Sequence, residues 1–176
     1  MTTVLLTGMS GTGKSTVVAR LRELGYAAVD LDDDGLLDES GAEALWVEEG
    51  VREVLATAPR PLFLAGCAAN QVAFYPDLDH VILLSASADV IRERLASRTN
   101  NPFGKAPGEL ARVLADLEEV EPLLRRGATL EIDTSAASPD SVVARVLEHV
   151  GLPADPAERP PDRVGLPGDS AGERRR

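Results

Sequence analysis

The sequence predicts an α/β fold in which a five-stranded parallel sheet carries helices on both faces. Three observations lead to it. The chain has 176 residues, 44% of them hydrophobic, enough for one domain with a sizeable core. Five short apolar or β-branched runs alternate with stretches of helical periodicity, the pattern that buries both faces of a parallel sheet. No apolar run approaches the roughly 20 residues that span a bilayer, so this apolar content belongs to an interior.

In chain order, the first strand is Thr2 to Thr7, followed by a glycine-rich turn and a helix from Lys14 to Leu24 that Gly25 closes. Tyr26 to Asp30 is the second strand. The next helix is expected from Ala42 to Ala58, with Leu45, Val47, Val51, Val54 and Leu55 as its apolar stripe. Leu62 to Ala65 and His80 to Ser85 are the third and fourth strands. Ser87 caps a helix from Ala88 to Ser97, and a longer one is expected from Pro107 to Arg125. Ala128 to Ile132 is the fifth strand. The last helix runs to Val150, with Ser138 as N-cap and Pro139 at its first position. Residues 1–150 are thus expected to form the domain, with ligands bound beyond the carboxyl ends of the strands. From Gly151 the chain turns to Pro, Gly and charge, as in Arg159-Pro160-Pro161-Asp162, and residues 151–176 are expected to be a disordered tail.

The formal charge is −11, from 18 basic and 29 acidic side chains, and it is unevenly spread. Five acids and five bases cancel after Gly151, whereas between Asp30 and Glu53 ten acids stand against Arg52 alone, a net −9. A solvated helix face after an acidic loop is one reading of that stretch. Duplex nucleic acid needs a basic surface and is excluded as a partner. The N-terminus has no basic region before its short apolar run, so a cytoplasmic protein without membrane attachment is expected, as a monomer or a homodimer. A single cysteine, Cys67, excludes a disulfide framework and a Cys-rich zinc site, and is expected to be a small apolar filler.

Gly8-Met9-Ser10-Gly11-Thr12-Gly13-Lys14-Ser15 satisfies G-x-x-x-x-G-K-[ST] and lies between the first strand and the first helix. Glycines let such a loop turn its N–H groups inward, and the helix N-terminus adds its positive end, so Gly8, Ser10, Gly11, Thr12 and Gly13 are expected to cradle nucleotide phosphates. Lys14 should neutralise the transferred phosphoryl group, and Ser15 should ligate Mg²⁺, with Thr16 behind it. A chance match would arise in roughly 1 in several hundred chains of this length. Only Lys14 and Lys105 among the 18 basic residues are lysine, which draws attention to Lys105.

The second strand ends in Asp30-Leu31-Asp32-Asp33-Asp34. Side chains alternate in an extended segment, so Asp30 and Asp32 point the same way, toward the phosphates. One can complete the Mg²⁺ shell, here Asp30 with Ser15, and the other can orient or deprotonate a substrate hydroxyl. An Asx turn is the alternative, and the expected role of Asp33 and Asp34. Arg94 and Arg98 lie one helical turn apart before a polar loop, residues 98–108, whose Gly and Pro suit a lid over ATP. Solvated pairing of Arg92 and Arg94 with Asp89 or Glu93 is the alternative. His80 and His149 read as structural, and Trp46 and Phe74 as core or as a pocket wall.

With these motifs the sequence resembles the small P-loop kinases of the shikimate kinase and nucleotide kinase superfamily, over residues 1–150. Further shared marks are Gly66 after the third strand, Arg94-Leu95-Ala96-Ser97-Arg98 entering the lid, the pair Pro122-Leu123, and Ala128 to Thr134 with Pro139 beyond. The resemblance implies a three-layer P-loop NTPase fold with strand order 2-3-1-4-5. It also assigns Asp30 and Asp32 to Mg²⁺ and substrate hydroxyl, Arg98 with Lys105 to ATP, and Thr134, Ser135 and the residues to Ser138 to the edge of the adenine. Shikimate kinases hold the substrate carboxylate with two arginines, whereas here the first neighbourhood reads Trp46-Val47-Glu48-Glu49 and the second position is Val120. Nucleoside monophosphate kinases commonly place an arginine where Ala69 stands. The expected activity is therefore transfer of the γ-phosphoryl of Mg-ATP to a hydroxyl of a neutral or cationic small molecule, such as a nucleoside, sugar or aminated natural product. A nucleotide kinase using positions such as Arg52, and a nucleotide-binding switch or slow ATPase, are the alternatives; a lid that excludes water argues against the last.

Overall fold

The computed structural model describes residues 2–97, 99, 106, 108–155 and 158. Arg98, Lys105 and most of the expected lid lie outside the described residues, as do 156–157 and 159–176. The elements are β1 (Thr3–Thr7), α1 (Lys14–Glu23), β2 (Ala27–Asp30), β3 (Leu37–Asp38), β4 (Leu45–Trp46), α2 (Glu48–Thr57), β5 (Leu62–Ala65), a 3-10 helix (Gln71–Asp77), β6 (His80–Ser85), α3 (Ala88–Ser97), α4 (Glu109–Glu119), α5 (Glu121–Gly127), β7 (Leu130–Asp133) and α6 (Pro139–His149). The main sheet is parallel throughout, in the order β2-β5-β1-β6-β7, which is the expected 2-3-1-4-5 once the short β3-β4 hairpin is set apart.

Alternation along the strands builds the two sides of the sheet. In β1, Val4 and Leu6 pack against Val17, Val18 and Leu21 of α1 and Val142, Val143 and Val146 of α6. Leu5 faces the other way, toward Val51, Trp46 and Phe74. Every residue of β1 and β5 is buried, so these two strands carry no amphipathic pattern. The Ser138 hydroxyl accepts from the Ser141 N–H at 3.2 Å and caps α6. No helix among the described residues is long and apolar enough to cross a membrane.

Two expected helices are corrected. The segment from Ala42 bends and then runs into β4 at Leu45, and helix begins only at Glu48, because Trp46 is taken up in the hairpin opposite Leu37. The Asn70 side chain clasps the Trp46 backbone on both sides, accepting from its N–H at 2.9 Å and donating to its carbonyl at 3.0 Å. Leu45 and Val47, expected in an apolar stripe, are each 42% exposed. The helix expected over 107–125 breaks at Val120 into α4 and α5, where Pro122 in the first turn of α5 has no N–H to continue α4. The 3-10 helix was not expected at all. Past the expected boundary at Gly151 the chain still packs on the core through Leu152, and the Tyr26 hydroxyl donates to the Pro153 carbonyl.

Arg125 ties α5 to β7, donating to Glu121 at 2.7 Å and to both carboxylate oxygens of Glu131 at 2.7 and 2.9 Å. Its hydrogen bonds hold the Glu131 carboxyl below the usual glutamate value. Glu121 is 7% exposed and its Oε2 has no partner among the described residues, so Arg125 is the cation that makes its burial tolerable. Arg125→Met is expected to destabilise the fold by about 1–3 kcal/mol at neutral pH, discounted because Arg125 itself is half exposed. A carboxyl with a depressed folded pKa stabilises fully above its unfolded value and loses this as pH falls through the folded one. The difference between variant and wild type in urea midpoint should therefore shrink between about pH 7 and about pH 3.

Candidate functional site

The turn from β1 into α1 is held by close backbone approach. A Cβ on Gly8, which has φ +148°, would lie 2.2 Å from the Leu84 carbonyl oxygen of β6. Gly11 and Gly13 also have positive φ, at 86° and 99°, and the buried Thr12 hydroxyl donates to the Met9 carbonyl at 2.8 Å. The Lys14 ammonium folds over the loop, donating to the Gly8 and Met9 carbonyls at 2.7 and 3.3 Å. These contacts shape the wall of a cleft of about 510 Å³ at the carboxyl end of the sheet.

Ser10, Gly11, Thr12, Gly13, Lys14, Ser15 and Thr16 all line the cleft, together with Asp30, Asp32, Arg94 and Thr134. Gly8 instead packs into the sheet. Ser135 is outside the lining; its hydroxyl accepts from the Ser87 N–H at 2.9 Å and joins the loop after β7 to the start of α3. Arg94 reaches the cleft, yet its guanidinium is engaged with protein: it donates to the Gly11 carbonyl at 3.2 Å and to the Thr134 hydroxyl and carbonyl at 2.9 and 2.6 Å. It braces the phosphate loop against the loop after β7. Arg92 pairs with Asp89 at 2.7 Å, the solvated alternative.

The acidic run after β2 divides into different tasks. Asp30, 4% exposed, accepts from the N–H groups of Asp32 and Asp33 on Oδ1, while its buried Oδ2 has no partner among the described residues. Asp30 thus makes the Asx turn expected of Asp33 and Asp34 and still presents an oxygen that needs a ligand. Asp32 accepts from the Trp46 indole N–H at 3.1 Å and from the Cys67 N–H at 3.2 and 3.1 Å. Burial pushes its carboxyl up, and the nearby Lys14 charge and the indole bond offset this only in part. Asp33 accepts from the Ser15 hydroxyl at 3.3 Å. Asp34 Oδ2 reaches back to accept from the Asp30 N–H at 2.9 Å and also pairs with Arg22 at 2.6 Å.

Ala137, within the stretch to Ser138 that the resemblance assigns to the adenine edge, also lines the cleft, as do Asp33, Ser97, Pro139 and Val142, which the sequence does not point to. Pro139 and Val142 belong to the expected last helix, and nothing in their pattern shows that its first turn faces the cleft. Phe74 is core, and burial pushes the Cys67 thiol up. His80 and His149 face each other 5.2 Å apart, with His80 at the amino end of β6, away from the cleft.

A family model described as an AAA domain matches residues 4–116. The shikimate kinase of Mycobacterium bovis is 30% identical over 165 residues, covering 85% of this chain and 94% of that enzyme. The chain belongs to the shikimate and nucleotide kinase-like family of P-loop proteins. It is an ATP-dependent phosphotransferase that acts on a small molecule. A putative adenylate kinase of Archaeoglobus fulgidus is 33% identical over 148 residues, covering 81% of this chain and 79% of that one. Among solved structures, the shikimate kinase of Acinetobacter baumannii in complex with shikimate superposes with a TM-score of 0.62 at 23% identity, covering 85% and 93% of the two chains, a likeness of fold.

Gly8→Ala should cost this kinase about 2 kcal/mol or more of stability, since its Cβ meets backbone rather than a flexible side chain. Thermal unfolding with and without Mg-ATP should show both a lower midpoint and a lost nucleotide shift.

Proposed function

We propose that the enzyme transfers the γ-phosphoryl of Mg-ATP to a hydroxyl of a neutral or cationic small molecule, such as a nucleoside, a sugar or an aminated natural product. The observation that carries this reading is the pairing of a phosphate loop with Asp32, a partly buried carboxylate beside it, in a cleft that Asp30 and Asp33 also line and that Arg52, the one arginine of the acidic stretch, does not. That arginine, Arg52, sits over the Phe74 ring and 3.9 Å from Asp77, outside the cleft, which speaks against a nucleotide kinase drawing on it for a substrate phosphate. A second anion entering this region without a cation would meet repulsion of several kcal/mol in a low-dielectric cleft.

In this reading the loop N–H groups and the N-terminus of α1 hold the β- and γ-phosphates, and Lys14 exchanges its bonds to Gly8 and Met9 for phosphate oxygens. The Ser15 hydroxyl, the partnerless Asp30 Oδ2 and the adjacent Asp33 form an all-oxygen set that fits Mg²⁺, a cation that takes few protein ligands alongside phosphates. When bound, Mg²⁺ would neutralise charge on the phosphate oxygens. Asp32 orients the acceptor hydroxyl and takes its proton as the acceptor oxygen bonds to the γ-phosphorus. The bond to the bridging oxygen breaks with its electron pair and ADP leaves. Arg98 and Lys105 are assigned to the phosphates by family resemblance. A cytoplasmic setting goes with ATP as donor.

Mg-ATP at about 100 times its Kd should stabilise the wild type by roughly 2.7 kcal/mol, and Lys14→Ala should show no such shift. Asp30→Asn and Asp32→Asn should each lower turnover by about 100-fold or more while leaving ATP affinity within a few-fold. A panel of nucleosides, sugars, aminoglycosides and nucleotides, read by ADP release, tests the acceptor class. Turnover confined to carboxylate or phosphate acceptors overturns it.

A further inference from the structure

Asp32 is the partly buried carboxylate on which the proposed chemistry turns, and its orientation is imposed from outside the loop that carries it. The Trp46 indole N–H donates to Oδ1 at 3.1 Å, and the Cys67 N–H is shared between Oδ1 at 3.2 Å and Oδ2 at 3.1 Å. Oδ1 therefore holds two donors, whereas Oδ2 shares one and keeps an acceptor position in the cleft. Trp46 is itself fixed. It is 2% exposed, its ring meets Phe74 at 5.8 Å between centroids, and the Asn70 side chain clasps its backbone N–H and carbonyl. The fit leaves no room for a side chain at the adjoining turn: a Cβ on Gly66 would lie 2.6 Å from Asp32 Oδ1 and 3.0 Å from Trp46 Cζ2.

A buried indole N–H needs an acceptor, and any backbone carbonyl would satisfy it. Here the acceptor is a carboxylate that lines the cleft. We propose that Trp46 is a positioning residue for phosphoryl transfer, holding Asp32 through its indole N–H so that Oδ2 is the oxygen presented to the acceptor hydroxyl. This rests on the reading of Asp32 given above. The β3-β4 hairpin is the element that brings Trp46 there. A carboxylate held by a neighbour with fixed backbone and ring keeps one rotamer, and loss of such support typically costs 10–100-fold in activity.

The test uses the full chain and Mg-ATP alone, with water, the smallest hydroxyl acceptor, standing in for the substrate and ADP release as readout. Trp46 is the only tryptophan, so replacing it with benzothienylalanine removes the N–H at one site while keeping the bicyclic shape. Trp46→Phe is the genetically simple companion. Both should lower kcat by about tenfold or more with KM for ATP within about twofold. Combined with Asp32→Asn, Trp46→Phe should add nothing to the loss from Asp32→Asn alone. Trp46 emission in the wild type should also shift on Asp32→Asn, because the charge beside the indole N–H is removed. Full rate in the benzothienyl protein, losses that multiply with Asp32→Asn, or unchanged emission would each overturn the proposal. A rate unaffected by Asp32→Asn would overturn the role of Asp32 and the proposal with it. A rate lost in Asp32→Asn but kept in the benzothienyl protein would remove the proposal alone.

Discussion

The close approach of Gly8 to the Leu84 carbonyl is the constraint on which the rest of the site depends. It lets β1 turn sharply at its carboxyl end beside β6, so the loop that follows wraps inward and α1 starts with its N–H groups aimed at the turn. That geometry needs β1 in the middle of the sheet, hydrogen-bonded to β5 on one side and β6 on the other. A central strand has no solvent face, which is why all of β1 is apolar or threonine. The phosphate site and the sheet order thus follow from one packing requirement. Thr134, whose hydroxyl lies 2.9 Å from the Thr12 carbonyl, and Arg94, bonded to Gly11 and Thr134, extend the same bracing to the loop after β7.

Much of this was legible because local sequence and tertiary role agree. Fully buried strands read as unbroken apolar runs, the phosphate loop is contiguous, and Ser138-Pro139 announces a helix start by itself. The elements that escaped are those whose conformation is decided by distant partners. Nothing near Trp46 indicates that Asn70 will clasp its backbone or that Asp32 will take its indole N–H, so residues from Ala42 read as the first turns of a helix whose apolar spacing they happen to extend. The break at Val120 was signalled by Pro122, but a proline in the first turn of a second helix resembles one that a longer helix tolerates with a kink.

The acidic stretch shows the same division between what a pattern gives and what contacts decide. As a sequence it is one block of like charge. In the structure Asp34 is paired with Arg22, Asp33 meets Ser15, Asp30 closes a turn, and Asp32 is held by an indole and a backbone N–H. Neighbours in a run of like charge therefore reach different environments, because a turn after a strand points consecutive side chains in different directions. Burial, more than charge count, separates their chemistry: Asp32 is raised by desolvation while Asp34 lies at the surface.

This separation bears on how the enzyme can discriminate among acceptors. Arg22, Arg94 and Arg125 are each committed to protein partners, to Asp34, to the Gly11 and Thr134 loops, and to Glu121 with Glu131. Freeing any of them to meet a substrate anion would strand a partner: Asp34 exposed, the phosphate loop unbraced, or Glu121 buried without a cation. Recruiting such an arginine to the acceptor would therefore cost fold or donor-site geometry as well as side-chain entropy. On the proposed reading a neutral or cationic acceptor would need no such rearrangement, since carboxylates and backbone groups already in place could take its hydroxyl and ammonium groups. On that reading the charge of the acceptor would be limited by where the fold has already used its cations, as much as by the three carboxylates, Asp30, Asp32 and Asp33, that line the cleft.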